Sequence, residues 1–355
     1  MKRYLSQALF ALLLLAAASP ASAQQTIKIT MSAGHPPAFL WVRVLEEFFA
    51  PEVDKRLAAA GNKYKIDWTK AWAGTLAKVG SESVAIKDGI SDMGFVGTLF
   101  EGARFPLQNV TFYAPFGTND VLLTSSIIAE LQQKHPQMLE AWTKNNLVYL
   151  GGASLDSYQL FTTFPVKSLD DLKGRKVSAP GTAANWINGT GAVAVGGNLS
   201  TYFEDIKAGA SEGALAFITG AWPAKLHEVA PYVTRVNIGA MYAGGIVMNK
   251  RKFDSLPPEV QKIFREVGAE FAVRFSKLEV DTAAALEKRM KDSGAKFYDL
   301  DAATRKKWAE ALPDIGKIWA KDLQDKQKLP ANAVLQDYMQ LLRKANADLP
   351  RDWSK

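Results

Sequence analysis

The chain has no cysteine among its 355 residues. That absence removes disulfides, thiol nucleophiles, cysteine-based zinc sites and any lipid anchor carried on a cysteine. Histidine is scarce as well. His35, His135 and His227 stand far apart, with no carboxylate-rich motif around them, so a histidine metal cluster or a Ser-His-Asp triad has little support. There is no G-x-S-x-G and no P-loop, and the glycine-rich GTGAVAVGG (189–197) lacks the G-x-G-x-x-G spacing that opens a nucleotide-binding helix. The pairs Glu46/Glu47 and Asp170/Asp171 read as solvated faces, not as a glycosidase pair. No apolar run reaches the about 20 residues of a membrane-spanning helix. Net charge is +7 without clustered Lys/Arg runs, which argues against a nucleic-acid partner. The residues therefore suggest no catalytic centre, no metal site and no cofactor.

What is present begins with an export signal. Lys2 and Arg3 precede the apolar run Ala8–Ala18, and Ala21-Ser22-Ala23 supplies a small-x-small cleavage site. Residues 1–23 are expected to be a leader and the mature chain to start near Gln24; an uncut anchor is the alternative. Loss of Lys2 and Arg3 lowers the charge from +7 to +5. About 330 residues without disulfides must be stable through their core alone, and that length suffices for two lobes. The expectation is a soluble, monomeric protein of a bacterial periplasm.

From Thr26 to about Tyr232 short apolar strands alternate with amphipathic helices, the pattern of α/β lobes with mainly parallel sheets. TIKITMSA (26–33), YKIDWTKA (64–71), DMGFVG (92–97) and LVYLGGASL (147–155) read as strands of one lobe, with a helix expected over 76–89. YQLFTT, RKVSAP, GAVAVGG and EGALAFI read as strands of a second, with a helix over AWPAKLHEVAPYV (221–233). NIGAMYAGGIVMNK (237–250) then returns to the first. Pro258 suits the first position of a helix, and no further proline occurs up to Ser293. One helix over 258–293 would span roughly 50 Å; Gly268 is where it would break. The architecture expected is α/β, a two-lobed clamshell with hinge crossings and a long C-terminal helix along both lobes. Lobe I takes 24–150 plus 238–275 and lobe II takes 151–237 plus 295–355. Gly151/Gly152 and Gly244/Gly245 are hinge candidates, with strand packing the other reading.

Open α/β sheets bind ligands in loops at the carboxyl ends of their strands. Here those loops carry His35, Trp72, Phe95, Thr98, Tyr158, Gln159, Ser178, Thr182, Asn185, Trp186 and Trp222. Trp72, Gln159 and Ser178 are the leading candidates among them. His35 is placed either to cap the adjacent helix or to meet a solute.

Three stretches point further: SLDDLKGRKVSAPG (168–181), YFEDIKAGASEG (202–213) and GIVMNKRKFDSLPPEVQKIF (245–264). In their spacing the chain resembles, from about Lys28 to Ala272, the solute receptors of tripartite ATP-independent periplasmic (TRAP, DctP-like) transporters. The resemblance implies two hinged α/β lobes, closure around one small-molecule solute and delivery to membrane permease subunits. It also places Ser178 where the family usually has an arginine that grips a carboxylate, Gln159 or Tyr158 at a second cationic position, and Ala216 at an asparagine. Loss of a buried charge partner costs a bound anion about 2–5 kcal/mol. Either neutral donors, such as Ser178 and backbone N–H groups after Gly181, and a cation from His35, Lys70 or Arg104 compensate, or the solute needs less charge recognition. A small organic acid, a monocarboxylate with an apolar or aromatic body, is the solute expected. A binding protein of an ATP-driven importer, a sensory co-receptor and a secreted hydrolase or lyase are the rival readings; the last would need an acid-base pair that is not visible.

Overall fold

The computed structural model describes residues 24–355, and the leader expected over 1–23 lies outside the described residues. Strand β1 (Gln25–Ser32) leads into α1 (Leu40–Val44), which passes through a π turn (Leu45–Phe49) into α2 (Ala50–Ala59). Next come β2 (Tyr64–Ala71), α3 (Glu82–Lys87), β3 (Met93–Gly97), α4 (Val110–Tyr113), α5 (Val121–Lys134), α6 (Gln137–Lys144) and β4 (Leu147–Leu155). A second series holds β5 (Tyr158–Thr162), β6 (Lys176–Ala179), β7 (Val193–Gly196), α7 (Tyr202–Lys207), β8 (Gly213–Phe217), α8 (Ile218–Ala221), α9 (Leu226–Val229) and β9 (Tyr232–Arg235). The chain closes with β10 (Met241–Asn249), α10 (Lys250–Asp254), α11 (Pro258–Asp292), β11 (Lys296–Asp299), α12 (Ala302–Ala311), α13 (Ile315–Gln327) and α14 (Ala331–Lys344).

Two sheets result, ordered β2-β1-β3-β10-β4 and β11-β9-β5-β8-β6-β7. β1 runs parallel to β2 and β3, whereas the returning β10 is antiparallel to β3 and β4. In the second sheet β6 is parallel to β7 and β8, and the incoming β5 is antiparallel to β8 and β9. The strands that carry the chain between lobes thus run against the parallel majority. Alternation sets the faces: Ile27, Ile29 and Met31 of β1 are buried in the core.

Local signals written in the sequence take the form they encode. Ser168 and Asp171 build a capping box, with the Ser168 amide donating to Oδ2 of Asp171 at 2.8 Å, and Gly174 leaves the turn with φ +72°. Asp120 and Asp301 cap α5 and α12. The helix expected over 76–89 forms only as α3, because Gly80 takes φ +83°, a value an α-helix excludes. The helix expected over 221–233 is likewise broken. Pro223 and the left-handed Lys225 (φ +55°) leave only α8 and α9, and Tyr232–Arg235 pairs as strand β9.

α11 is one unbroken helix of 35 residues. Gly268 does not break it but lets it press on the first sheet: a Cβ there would lie 2.5 Å from the Leu150 carbonyl, and one on Gly151 of β4 would lie 2.0 Å from the Gly268 carbonyl. Farther along, Leu286 and Met290 join the apolar cluster of the second lobe. The hinge candidates sit inside β4 and β10, where the missing Cβ serves packing: Gly152 meets Tyr149 and Tyr242, and Gly244, at φ +133°, meets the Val96 carbonyl. Chain passes between lobes at Asp156–Ser157, at 236–240, along α11, and again after β11.

The segment 295–355, expected in lobe II, divides. β11 pairs with β9, but α13 and α14 pack on α4 and α5 of the first lobe. The reason is an apolar face on α14 (Val334, Leu335, Tyr338, Met339, Leu342) flanked by Asp337, which binds Lys134 Nζ and His135 Nε2, each at 2.7 Å. α12 reaches the second lobe: Trp308 Nε1 donates to the Trp186 carbonyl at 2.7 Å, and Arg305 Nε to the Asn237 carbonyl at 3.3 Å.

Candidate functional site: the cavity between the lobes

The loops at the carboxyl ends of β1 and β3 face those of β6 and β8, and a cavity with a mainly apolar lining lies between them, the kind of place where small-ligand sites occur. The first lobe supplies His35, Trp41, Glu82, Phe95 and Leu99, with Phe100 and Phe112 beside them. The second supplies Tyr158, Pro180, Leu199, Tyr202, Leu215, Ala216 and Phe217. Both lobes therefore contribute aromatic rings. Trp41 stands 6.2 Å from Phe95 and 6.0 Å from Phe217, and Tyr158 lies 5.1 Å from Phe217, centroid to centroid. Such faces suit a flat apolar body. Among the described residues no Lys or Arg lines the cavity.

Its polar groups are few. Tyr202 is fully buried and its hydroxyl has no partner. His35 is 7 % exposed and packs edge-on against Phe39 and Trp41; burial lowers its pKa to about 4, so it is a neutral donor and acceptor at pH 7. Glu82 is 4 % exposed. Burial, and then the charge of Glu101, push its carboxyl up to about 7 against the backbone N–H groups that hold it.

His35, Phe95 and Tyr158 are thus brought together at the cavity. Thr98 stands between two lining residues but turns its hydroxyl to the Ala243 carbonyl at 3.4 Å. Trp72 is half-buried in the loop after β2, whose backbone bonds to Ala33 and His35; its ring N–H is enclosed without a partner and does not line the cavity. Gln159 pairs with Asn237 in both directions, 3.0 and 2.9 Å, and ties two interlobe crossings together. Ser178 is fully buried and Thr182 half-buried, and the hydroxyl of each lacks a partner. Asn185 and Trp222 face outer grooves: Asn185 beside Tyr113 and Ile318, Trp222 beside Arg43 and stacked on His227 at 4.5 Å. Trp186 lies behind the wall, stacked on Phe112 at 5.6 Å, its Nε1 donating to the Phe112 carbonyl at 2.7 Å. Of the cations weighed as substitutes, Lys70 is bound to Glu46 at 2.8 Å and Arg104 to Glu101 at 3.2 Å.

The register brings Gln159, Ser178 and Ala216 together. Gln159 faces Ala216 across the β5–β8 ladder and Ser178 faces Ala214 across β6–β8, so all three stand on one side of the sheet. The buried cluster that covers Ala214 and Ala216 contains the Tyr202 ring. The small side chains of Ser178, Ala214 and Ala216 leave room on that side for the Tyr202 ring with its unpaired hydroxyl. Sequence reasoning missed Trp41, Glu82, Tyr202 and Phe217. Phe217 alone carried a signal, since it ends a strand at the carboxyl edge; Trp41 and Tyr202 read as ordinary core residues of amphipathic helices.

An outer groove borders this cavity, formed by Pro36, Lys78 and Val79 of the first lobe and Asn198, Leu199 and Phe203 of the second. Among the described residues no helix is long and apolar enough to cross a membrane, and no cluster of His, Asp and Glu is arranged to hold a metal.

Known proteins share this architecture. A solute-binding protein of Albidiferax ferrireducens is 25% identical over 279 residues, covering 74% of this chain and 76% of its own length. A TRAP solute-binding protein of Rhodoferax ferrireducens, solved with copurified benzoate, superposes with a TM-score of 0.79 at 19% identity over 90% of this chain and 98% of that one. A marine metagenome TRAP protein specific for aromatic acids, solved with 3-hydroxybenzoate, gives 0.78 at 20% identity over 90% and 99%. A Bordetella pertussis extracytoplasmic solute receptor binding pyroglutamic acid gives 0.71 at 21% over 89% and 99%. A family model matches residues 47–322, every strand but β1 and most of the helices included, and the chain belongs to that family, the DctP or family 7 bacterial extracellular solute-binding proteins.

Proposed function

We propose that this protein is the extracytoplasmic receptor of a TRAP transporter and that it closes on one small monocarboxylate with an aromatic body. The observation that carries the reading is the cavity itself. Aromatic rings from both lobes line it, no Lys or Arg among the described residues does, and the Tyr202 hydroxyl in its wall has no protein partner. A solute touched by both lobes favours the closed arrangement by the difference in contact energy between the two states. Stacked rings supply contact area, and neutral donors (Tyr202, with Ser178 on the same side of the sheet) take the place of a guanidinium at the acid group. The same fold houses benzoate and 3-hydroxybenzoate in two of the structures compared above. Export to the periplasm and hand-over to membrane permease subunits complete the role.

A thermal-shift panel on residues 24–355 tests this, using benzoate, pyroglutamate and glucuronate. Benzoate at 1,000 times its Kd should add about 4 kcal/mol of stability, and the polyhydroxylated glucuronate none. Tyr202→Phe should weaken benzoate about tenfold, the effect of losing one hydrogen bond to a charged group. Stabilisation by glucuronate without any by benzoate overturns the proposal.

A further inference from the structure

The two walls of the cavity differ in what they offer a solute. The second-lobe wall offers the unpaired Tyr202 hydroxyl. The first-lobe wall offers Glu82, buried at the start of α3. Its Oε2 accepts from the Gly80 amide at 2.7 Å, and the amides of Gly34 and of Glu82 itself also turn toward the carboxyl. A carboxylate has about four lone-pair directions, so three amides leave it able to accept one more hydrogen bond. Among the described residues no Lys, Arg or His is within salt-bridge distance of it. Its neighbour Glu101 is already engaged by the Ser83 amide at 3.0 Å and by Arg104 at 3.2 Å. His35, the other polar group of this wall, is neutral at pH 7 and neutralises nothing.

An acceptor held at the wall of an apolar cavity discriminates among solutes. A C–H edge against it leaves the carboxylate desolvated without return, whereas an O–H or N–H regains a charge-assisted hydrogen bond. We infer that Glu82 is a specificity-determining residue that selects aromatic acids bearing a hydroxyl or amino donor on the ring, away from the acid group, over the unsubstituted ring. The inference rests on the reading of the cavity as an aromatic-acid site and adds the chemistry of the ring's far side.

Titration calorimetry at pH 8.5, where Glu82 is ionised, tests it with four probes: benzoate, 3-hydroxybenzoate, 4-hydroxybenzoate and 3-methoxybenzoate. At least one hydroxybenzoate should bind about tenfold tighter than benzoate, as a hydrogen bond to a charged group predicts, and the methoxy acid, which has bulk but no donor, should gain nothing. Glu82→Gln should shrink the advantage severalfold, read as the ratio of hydroxybenzoate to benzoate affinity within the variant. If benzoate or the methoxy acid binds as tightly as both hydroxybenzoates to the wild-type protein, the role of Glu82 is overturned and the aromatic-acid reading stands. If none of the four binds, the aromatic-acid reading fails and the inference falls with it. The wild-type comparison can overturn the inference even where the variant folds poorly, and an undiminished hydroxybenzoate advantage in a folded Glu82→Gln protein overturns it as well.

Discussion

Exchange of Gly151 for valine should cost the protein several kcal/mol, enough to lower its unfolding temperature steeply or to prevent folding. Overpacking a tight core commonly costs about 1–3 kcal/mol when side chains can give way. Here the obstacle is main chain: the new Cβ would stand 2.0 Å from the carbonyl oxygen of Gly268. Relief requires moving β4 or α11, and β4 is flanked by β10 on one edge and covered by α11. Gly268→Ala should behave alike, since its Cβ would lie 2.5 Å from the Leu150 carbonyl. Gly196→Ala is the control. It has no atom within 4 Å of the added Cβ and no left-handed φ, so its effect should stay within about 0.5 kcal/mol. Thermal unfolding of the three variants reads the result, and a Gly151→Val protein as stable as wild type would contradict the seating of α11 on β4.

Stability should also fall as pH rises above the ordinary glutamate range, and Glu279→Gln should flatten most of that slope. Asp156 lies in the crossing from β4 to β5, Glu279 on α11, and Thr219 on α8. Asp156 accepts from the Ile218 amide at 2.8 Å, the Thr219 amide at 3.2 Å and the Thr219 hydroxyl at 2.7 Å. Oε1 of Glu279 stands 2.5 Å from the same hydroxyl and 3.2 Å from the Asp156 amide. Burial raises both acids, and the charge of Asp156 raises Glu279 further; the titratable group facing them from β5 is the Tyr158 hydroxyl. Among the described residues no cation pairs with either acid. Two such carboxyls cannot both ionise. Asp156 has the donors, so Glu279 keeps the proton.

The sign follows from where that proton sits. An unfolded glutamate titrates near pH 4.3, and each unit by which the folded value exceeds it is worth about 1.4 kcal/mol. The folded protein binds the extra proton throughout that interval, so its stability declines as pH climbs toward the folded pKa. Glutamine keeps the shape and cannot ionise. Glu82, pushed up to about 7, contributes a slope of the same sign that levels off above that value, so the variant should keep a remnant between pH 6 and 7. Asp156→Ala should cost about 3 kcal/mol at any pH, because two buried amides and a hydroxyl lose their acceptor. An unfolding temperature independent of pH in the wild-type protein would remove the shared proton from the account.

Features with short-range causes were legible in the chain. The Ser168–Asp171 box and the Asp120 and Asp301 caps need only a few residues, and the long helix needs only a proline-free run. Gly80 was as visible, but its left-handed φ follows from the loop that carries Glu82 to Gly34, and no periodicity encodes that. The partner of Gln159 is 78 residues away in sequence, which is why a polar residue shortly after the carboxyl end of β4 looked like a solute contact. Trp41 and Tyr202 were hidden for the opposite reason. Their apolar spacing says only that they are buried; whether they are buried in one lobe or at the seam between two depends on how the sheets face each other. The position of α13 and α14 was illegible on the same grounds, since an apolar helix face does not name the surface it will cover.

Phe112, backed by the stacked Trp186 ring, gives the pouch a floor, and Trp308 anchors Trp186 from behind. Ring N–H groups of both tryptophans are bonded to carbonyls, one reaching across from second lobe to first and the other from α12 to the second. On the function proposed above, a molecule that enters from the outer groove beside Lys78 and Phe203 meets that floor. On the same proposal, polymers and long-tailed acids would protrude and wedge the jaws apart, so that a dead end would police size.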